Sequence, residues 1–335
     1  MNPYKNLTTV FKAPELMDFV FHRASKVSVK LKKGLEPAKK ARLKESYRIK
    51  TIEKELTGKL NLYIKSYPNF DTMSPFYLEL TNVLIDGGVD RIRLLLASLS
   101  GIIQIIKRLS ASSLKKIHWS NSPKEMARIR LSYYGRISSI IKKITPKLNE
   151  LIEFRNILRK LPSIDTDIPT IVVAGYPNVG KSSLVKVIST ARPEISYYPF
   201  TTKKIIVGKF KKENINIQII DSPGLLDRPL SKRNRIEMQA ILALRYLAKS
   251  IIFMIDPSET CGYPLTDQIS LFNNLIQTFV EIPFIIIQNK IDLYQEDLNL
   301  NEQIKNKFKV FKTNLKEQIG IQKVINYIIS NFSVK

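Results

Sequence analysis

Residues 175–182 read GYPNVGKS, directly after the β-branched run Thr170–Ala174 and directly before a stretch whose apolar residues have helical spacing. This string fits the G-x-x-x-x-G-K-[ST] pattern of a phosphate-binding loop, in the strand, loop and helix context that such a loop requires. Its glycines allow backbone N–H groups to turn toward phosphate oxygens, and the helix N-terminus adds a partial positive charge. We therefore predict that the loop contacts a nucleotide through Gly175, Tyr176, Pro177, Asn178, Val179, Gly180, Lys181, Ser182 and Ser183.

Two side chains of this loop carry chemistry that a nucleoside triphosphate needs. The Lys181 ammonium can reach the β and γ phosphates, and the Ser182 hydroxyl can bind the Mg²⁺ that accompanies them. A glycine-rich string can also be an ordinary turn, but the strand before it and the helical pattern after it favour phosphate binding.

A second motif is Asp221-Ser222-Pro223-Gly224, in which an acidic residue ends a predicted strand. Asp221 can hold Mg²⁺ through water. Gly224 can offer its N–H to the γ phosphate and can reorient when that phosphate leaves. Alone, the tetrapeptide would indicate a plain turn; its spacing after the phosphate-binding loop predicts a segment that responds to the nucleotide.

The motif Asn289-Lys290-Ile291-Asp292 follows the predicted strand Pro283–Gln288 and is expected to select the base. The Asp292 carboxylate can accept hydrogen bonds from both the ring N–H and the exocyclic amine of guanine. Adenine does not offer this pair of donors, so an unpaired acceptor would penalise ATP. Asn289 and Lys290 are expected to brace the loops and cover the base, and the motif therefore predicts a preference for GTP.

Two further loops complete the predicted site. Residues 198–204 include Thr201 and Thr202, either of which can supply a hydroxyl to Mg²⁺ when the γ phosphate is present. The loop that backs the base is expected near Lys312–Leu315, through Thr313 and Asn314, although the usual Ser-Ala pair is absent there.

The apolar pattern changes near residue 165. From Pro14 to about Leu161, apolar residues recur every three or four positions, and turn-forming breaks divide this part into five to seven predicted helices. Beyond it, short β-branched runs alternate with amphipathic stretches, which favours a mainly parallel doubly wound sheet that binds ligands at the carboxyl ends of its strands. We predict an all-α helical-bundle domain at residues 1–165, followed by an α/β P-loop GTPase domain at residues 166–335. The predicted strands are Thr170–Ala174, Ile205–Phe210, Ile215–Asp221, Ser250–Asp256 and Pro283–Asn289.

The chain is strongly basic, with a formal net charge of +25 over 335 residues. Residues 1–165 hold 32 Lys and Arg against 14 Asp and Glu, an excess of +18, whereas residues 166–335 hold 22 against 15, an excess of +7. Repulsion among these charges predicts a polyanionic partner, such as RNA or an anionic membrane surface. The basic run from Lys26 to Lys50 is either a solvated helix face or a phosphate-binding surface.

The cysteine, histidine and apolar content narrows the class of protein. Cys261 is the only cysteine, and His22 and His118 are the only histidines, which excludes an intrachain disulfide and a zinc-ligand cluster. The longest apolar run, around Ile92 to Ile106, contains Arg93 and is too short to span a bilayer, and the start lacks the apolar core of a signal peptide. We therefore expect a cytoplasmic protein with neither a membrane nor DNA among its partners.

Taken in order, these motifs resemble those of the translation-factor-related GTPases. Pro177-Asn178 and Phe200-Thr201-Thr202 resemble the Obg-like branch in particular. Within that branch the chain is similar to the Nog-type nucleolar GTP-binding proteins, in Ser222–Pro229, in Glu237–Leu244 and above all in Asp256–Tyr263. The resemblance covers nearly the whole chain. Because the long carboxyl-terminal extension of nucleolar members is missing, the chain looks like the shorter archaeal form.

This resemblance implies a GTPase that acts in assembly of the large ribosomal subunit, bound to precursor ribosomal RNA and neighbouring ribosomal proteins, and we expect its intrinsic turnover to be slow. The implied cofactors are GTP or GDP and Mg²⁺. By position, the resemblance makes Thr202, rather than Thr201, the Mg²⁺ ligand beside Ser182 and Asp221. We expect Lys181, Thr202, Gly224 and Asn178 to be the catalytic residues.

One departure concerns hydrolysis, because Leu225 stands where many GTPases carry a glutamine that orients the attacking water. Related GTPases with an apolar residue there often use K⁺, coordinated by the asparagine of the phosphate-binding loop, and Asn178 matches that position. Asn178 could instead only stabilise the turn. Leu225 also leaves open an assembly scaffold that binds GTP with negligible turnover. A third alternative, a GTPase of tRNA modification, rests on shared P-loop features alone.

Overall fold

The computed structural model describes residues 1–28, 35–198, 204–212, 215–221, 224, 226–227, 233–293 and 306–332. The chain forms two units, each with its own buried core. The helical unit comprises Tyr4–Asp71 and Ile85–Arg159. The sheet unit comprises Met1–Pro3, Thr72–Leu84 and Lys160–Lys335.

Six α-helices precede the first strand in the described part of the chain, a number within the five to seven expected. They are α1 (Ala13–Ser25), α2 (Pro37–Ser66), α3 (Pro75–Leu84), α4 (Gly88–Trp119), α5 (Pro123–Lys143) and α6 (Thr145–Leu158). Proline occupies the first or second position of α1, α2, α5 and α6, where its fixed φ suits a helix start and its missing N–H is not needed. Gly87 and Gly88 have φ angles of 75° and 60°, which form the tight turn before α4.

The core of the helical unit lies among α2, α4 and α5, which pack against one another. Their buried apolar residues recur every three or four positions, as the sequence pattern predicts. A buried hydrogen bond of 2.8 Å joins the hydroxyls of Tyr133 on α5 and Ser110 on α4. The buried residues include Ile49, Ile52, Leu56 and Leu60 on α2, Ile92, Leu95, Leu99 and Ile106 on α4, and Met126 and Ile137 on α5.

Among the described helices, α4 is the one that is long and apolar enough to cross a membrane, by length and composition alone. The mean hydropathy of its most apolar window is 1.4, and 33% of that window is buried inside the protein. Helix α4 packs mainly against α2 and α5, and Ile92, Leu99 and Ile106 are among its buried residues. In this structure α4 therefore contributes a central helix to the core of the helical unit.

A seven-stranded sheet lies at the centre of the sheet unit. Its strands are β1 (Thr170–Ala174), β2 (Glu194–Tyr197), β3 (Lys204–Lys212), β4 (Ile215–Asp221), β5 (Ala248–Ile255), β6 (Phe284–Gln288) and β7 (Lys309–Lys312). In the order β2-β3-β4-β1-β5-β6-β7, the five strands from β4 to β7 are parallel, whereas β3 runs antiparallel to both β2 and β4. The predicted fold class, a mainly parallel P-loop sheet preceded by helices, is confirmed.

Four helices of the sheet unit follow strands, as the alternating pattern predicts. They are α7 (Lys181–Ile188), α8 (Arg235–Ala243), α9 (Leu265–Thr278) and α10 (Ile321–Phe332). Because the strands from β4 to β7 point the same way, the segments that follow β1, β4, β5 and β6 all leave the same edge of the sheet. The predicted nucleotide-binding residues are concentrated at this carboxyl edge.

Helix α3 belongs to the sheet unit, although the predicted boundary at residue 165 places it in the amino-terminal domain. It packs against α8, and the Tyr77 hydroxyl donates to the carbonyl of Pro162 at 2.8 Å and accepts from the N–H of Ile164 at 2.9 Å. The spacing of apolar residues predicts an amphipathic helix but does not indicate which core its apolar face joins.

The edge strands β2 and β7 were absent from the predicted strand set. Each is only four residues long, reading EISY and KVFK, so apolar and polar residues alternate over too few positions to separate a strand from a loop. Pairing with β3 and β6 respectively supplies the backbone hydrogen bonds that make them strands.

Candidate functional site

The loop between β1 and α7 has the backbone of a phosphate-binding loop. Gly175 and Gly180 have φ angles of 133° and 108°, and Asn178 has a φ of 62°. A Cβ at Gly175 would lie 2.5 Å from the carbonyl oxygen of Met254, and one at Gly180 would lie 2.5 Å from Nδ2 of Asn289. Glycine is therefore required at both positions, by backbone conformation and by close approach.

Lys181 is the first residue of α7, and its side chain folds back over this loop. Its ammonium donates to the carbonyl oxygens of Gly175 at 2.8 Å and Tyr176 at 2.6 Å, and the residue is only 7% exposed. The ammonium thus lies at a pocket of about 390 Å³, where it is placed to meet a phosphate. The pocket is lined by Pro177, Asn178, Gly180, Lys181, Ser182, Ser183, Asp221 and Asp227.

Ser182 and Asp221 come together from different elements. Strand β4 lies beside β1 in parallel register, with Val173 opposite Asp221, which brings the end of β4 next to the start of α7. The Ser182 hydroxyl donates to the Asp221 carboxylate, and Asp221 is fully buried. A hydroxyl and a carboxylate at a phosphate pocket are hard oxygen ligands suited to Mg²⁺. The third predicted ligand, Thr202, lies outside the described residues, as does Leu225.

Gly224 is held by two residues that the sequence patterns did not single out. Its N–H donates to Oδ2 of Asp227 at 2.8 Å, and its carbonyl accepts from Arg233 at 2.5 Å. Arg233 and Asp227 also form an ion pair at 3.3 Å, with side chains 1% and 9% exposed. The N–H predicted to reach the γ phosphate therefore bonds a carboxylate in this structure, and that bond would have to be exchanged. Sequence spacing gave no signal of this pair.

Asn289 connects the predicted base-binding motif to two other loops. Its Nδ2 donates to the carbonyl of Val179 in the phosphate-binding loop at 2.9 Å. Its Oδ1 accepts from the hydroxyl of Thr313 at 3.2 Å and from the N–H of Leu315 at 3.3 Å. The bracing role predicted for Asn289 thus has a geometric basis, and the segment after β7 lies beside the motif.

The remaining residues of the predicted base site differ in their surroundings. Lys290 has a φ of 60°, and its ammonium lies 2.6 Å from the carboxylate of Asp256. Asp292 is exposed in a 3₁₀ turn, Ile291–Leu293, where its carboxylate is accessible to a base. Asn314 is buried, and its Nδ2 has no hydrogen-bond partner among the described residues.

The protein shifts the pKa values of Asp256 and Cys261 in opposite directions. Burial alone would raise the pKa of Asp256, but hydrogen bonds from Lys290, Ser258 and Thr260 bring this pKa below its ordinary value. The carboxylate is therefore ionised at neutral pH, and its pairing is lost only as the pH falls through the lowered pKa. Burial raises the pKa of the Cys261 thiol. Cys261 thus remains a neutral packing residue rather than a nucleophile, as its sequence context favours.

Comparison with protein families gives two matches along the chain. The family described as the NOG1 N-terminal helical domain matches residues 4–165. The family described as nucleolar GTP-binding protein 1 (NOG1) matches residues 235–292, which include the segment from α8 to the predicted base-binding motif.

The chain is also similar to individual proteins of several organisms. An uncharacterised protein of Methanocaldococcus jannaschii is 38% identical over 297 residues, which are 88% of this chain and 83% of that protein. Nucleolar GTP-binding protein 1 of Arabidopsis thaliana is 32% identical over 90% of this chain and 46% of its own length. A Plasmodium falciparum crystal structure, assigned as nucleolar GTP-binding protein 1, is 34% identical, with a TM-score of 0.45 over 51% of this chain and 91% of its own.

The comparisons also show how much of its relatives' length this chain spans, and they test the predicted location of the protein. The chain spans less than half the length of the curated nucleolar relatives from Arabidopsis thaliana and Drosophila melanogaster. It spans most of the Methanocaldococcus jannaschii protein, in agreement with the resemblance to a short archaeal form. The predicted cytoplasmic location is wrong by this comparison, because the eukaryotic relatives are named as nucleolar proteins.

Proposed function

Because the chain belongs to the nucleolar GTP-binding protein 1 family, we propose that it binds and hydrolyses GTP as a switch in large ribosomal subunit biogenesis, docked on precursor ribosomal RNA. The observation that carries this proposal is the convergence of three motifs at the carboxyl edge of one sheet. The phosphate-binding loop follows β1, Asp221 ends β4, and the Asn289 motif follows β6. The hydrogen bond from Asn289 to Val179 joins the first and third of these motifs directly.

The proposed nucleotide contacts follow from the chemistry of each position. Backbone N–H groups of residues 175–183, with the N-terminus of α7 and Lys181, would bind the phosphates. Ser182, Thr202 and Asp221 would hold Mg²⁺, which neutralises charge on the phosphate oxygens when bound. Asp292 would accept hydrogen bonds from the two N–H donors of guanine. Lys290 and the segment at Thr313 and Asn314 would cover the base.

The proposed switch is an exchange of partners at Gly224. In this structure the Gly224 N–H donates to the carboxylate of Asp227, which is itself paired with Arg233. A γ phosphate would compete with the Asp227 carboxylate for this N–H, because both are anionic acceptors for one donor. Presence or loss of the phosphate would then change the segment that follows β4.

Hydrolysis is proposed to depend on K⁺ at Asn178. We expect single-turnover hydrolysis by the full chain to be roughly tenfold faster in KCl than in NaCl, because a cation near the β and γ phosphates offsets transition-state charge as an arginine finger does in other GTPases. In the Asn178→Gly variant this difference should disappear, since glycine tolerates the φ of 62° but removes the amide oxygen. Quenched-flow measurement of phosphate release tests both.

Two outcomes of that measurement would change the proposal. Equal rates in KCl and NaCl would remove the K⁺ role and leave Asn178 as a turn residue. No hydrolysis under any condition, including addition of precursor large subunits, would favour the assembly scaffold that Leu225 leaves open. Binding of mant-GDP by Asn178→Gly at wild-type affinity is the control that the loop remains intact.

RNA docking is proposed for a basic surface of the helical unit. Arg42 on α2 donates to the carbonyl of Ser120 at 2.8 Å and to the side chain of Asn121 at 3.2 Å, which places the basic start of α2 beside the end of α4. Trp119, at the end of α4, is 73% exposed. Exposed lysines can bind phosphates, and an exposed indole offers a stacking face for an unpaired base. The exposed lysines of this surface are Lys39, Lys40, Lys44, Lys115 and Lys116.

Binding of the full chain to precursor ribosomal RNA should weaken by more than about tenfold between 50 and 200 mM KCl, because phosphate contacts release counterions. Replacing both Lys115 and Lys116 by alanine should make the slope of log K against log salt shallower by about 1 to 2. Filter binding across a salt series measures both quantities.

A double alanine variant at Lys142 and Lys143 is the matched control, because it removes the same charge from exposed positions at the end of α5. Equal slopes for the two double variants would place the RNA elsewhere on the helical unit. Absent or salt-independent binding by the unmodified chain would count against RNA docking altogether.

A further inference from the structure

The segment Asp256–Tyr263, here called the Asp256 loop, follows β5 and precedes α9. It touches two parts of the proposed nucleotide site within the sheet unit. The Asp256 carboxylate contacts Lys290 of the base-binding motif, and the ring of Tyr263 contacts the ring of Tyr176 in the phosphate-binding loop. Neither the proposed phosphate contacts nor the proposed base contacts include a residue of this loop.

The Asp256 carboxylate is the centre of the loop and is fully buried. Its Oδ1 accepts from the N–H of Ser258 at 3.1 Å and from the Ser258 hydroxyl at 2.5 Å. Its Oδ2 accepts from the N–H of Cys261 at 2.8 Å, the Thr260 hydroxyl at 3.0 Å and the ammonium of Lys290 at 2.6 Å. A carboxylate with this many donors is fixed in place, so it can fix the cation in turn.

Lys290 has little freedom once it is paired in this way. Its side chain is 23% exposed, and its ammonium also contacts the Thr260 hydroxyl at 2.9 Å. Two partners from the Asp256 loop therefore hold the ammonium.

Gln268 on α9 keeps the Asp256 loop in this conformation. Its Oε1 accepts from the N–H of Asp256 at 2.8 Å, and its Nε2 donates to the carbonyls of Asp256 at 3.0 Å and Tyr263 at 2.9 Å. One buried amide thus binds both ends of the loop. The loop is anchored to a helix rather than free to follow Lys290.

The second contact reaches the phosphate side. The ring centroids of Tyr263 and Tyr176 lie 4.4 Å apart at an interplanar angle of 35°, and Tyr176 is 7% exposed. Tyr176 supplies one of the two carbonyls that accept from Lys181. The Asp256 loop therefore packs against the loop that positions the phosphate-binding lysine.

From these contacts we propose that Asp256 is a positioning residue for guanine nucleotides, which holds Lys290 in the arrangement that covers the base. The inference rests on the proposed GTP binding and deepens it. Without the carboxylate, the Lys290 ammonium would be drawn toward solvent and would have to be ordered again when the base binds. That ordering cost would appear as weaker nucleotide binding and not as a change in the phosphate contacts.

The test is a double-mutant cycle in the full chain, with mant-GDP and mant-GTP affinity read by fluorescence. Asp256→Asn should weaken both ligands by about tenfold, and by the same factor, since the base is common to them. In a Lys290→Met background the same substitution should cost less than about twofold, because the cation it positions is absent. The loss should also be constant between pH 6 and 8, because the pKa of Asp256 lies below that range.

Controls separate positioning from loop stability. Asp267→Asn removes an exposed carboxylate from the first turn of α9 and should leave both affinities unchanged. Thr260→Val removes one contact with Lys290 without removing a charge, and should weaken binding by about two- to threefold even if Asp256→Asn fails to fold. Additive losses in the cycle, or wild-type affinity in both Asp256→Asn and Thr260→Val, would overturn the positioning role alone. Failure of the unmodified chain to bind either ligand would overturn the proposed function as well.

Discussion

Replacement of Lys181 by alanine should weaken GTP binding by about 100-fold or more. The Lys181 ammonium lies at the phosphate pocket and is held there by the carbonyls of Gly175 and Tyr176. A hydrogen bond to a charged group contributes about 1.5–3 kcal/mol, and an ammonium that meets two phosphates can make two such bonds, for a total of about 3–6 kcal/mol. Since about 1.4 kcal/mol corresponds to a factor of ten, 100-fold is the lower end of that range.

Titration of mant-GTP into the unmodified full chain and into the Lys181→Ala variant measures this loss of affinity. Lys186→Ala is the matched control, because Lys186 is an exposed lysine on the same helix and its removal changes the net charge equally. Thermal unfolding of both variants is the check that the fold is retained, because Lys181 is only 7% exposed and donates to two carbonyls of the phosphate-binding loop. Affinity of Lys181→Ala within threefold of the unmodified chain would show that the phosphates bind elsewhere.

The parts of the site that could be predicted from sequence are those fixed by local backbone geometry. The string GYPNVGKS has to follow a strand and open a helix, and the close approaches at Gly175 and Gly180 explain why no other residue fits there. Strands buried on both faces, such as β1 and β6, read as continuous apolar runs and were predicted within one residue of their ends.

The parts that could not be predicted depend on contacts between distant residues. The pairing of Asp256 with Lys290 joins positions 34 apart, and the hydrogen bond from Asn289 to Val179 joins positions 110 apart. Neither spacing is a local pattern, because both follow from which strands are neighbours in the sheet. The packing of α3 against α8 is likewise not a local pattern, since α8 lies about 160 positions further along the chain.

The chemical role of Asp227 could not be predicted from the motif that contains it. It lies in the string from Ser222 to Pro229, which carried a family resemblance, yet its bond with the Gly224 N–H appears only when the backbone is folded. The buried Arg233 then neutralises a carboxylate that borders the phosphate pocket. Without that partner, a second carboxylate near Asp221 would repel the phosphates that the pocket is proposed to bind.

Replacement of Asp292 by asparagine should reverse the base preference of the site. Guanine presents two donors, its ring N–H and its exocyclic amine, which the carboxylate of Asp292 can accept together. An asparagine amide accepts only one of them and points its own N–H toward the other, so affinity for GDP should fall by about 100-fold. Xanthine carries a carbonyl in place of the amine, which the amide N–H can donate to, so affinity for XDP should rise above that for GDP.

The exposed position of Asp292 in the turn after β6 makes this a test of recognition rather than of folding. Competition of unlabelled GDP and XDP against mant-labelled nucleotide gives both affinities, and Asp167→Asn is the control for loss of one exposed carboxylate from the same unit. Unchanged preference for GDP would move base recognition away from Asp292, toward the segment at Thr313 and Asn314. The Nδ2 of Asn314, for which the described residues offer no hydrogen-bond partner, would then be the next donor to test, since guanine also presents a carbonyl acceptor that its amide could meet.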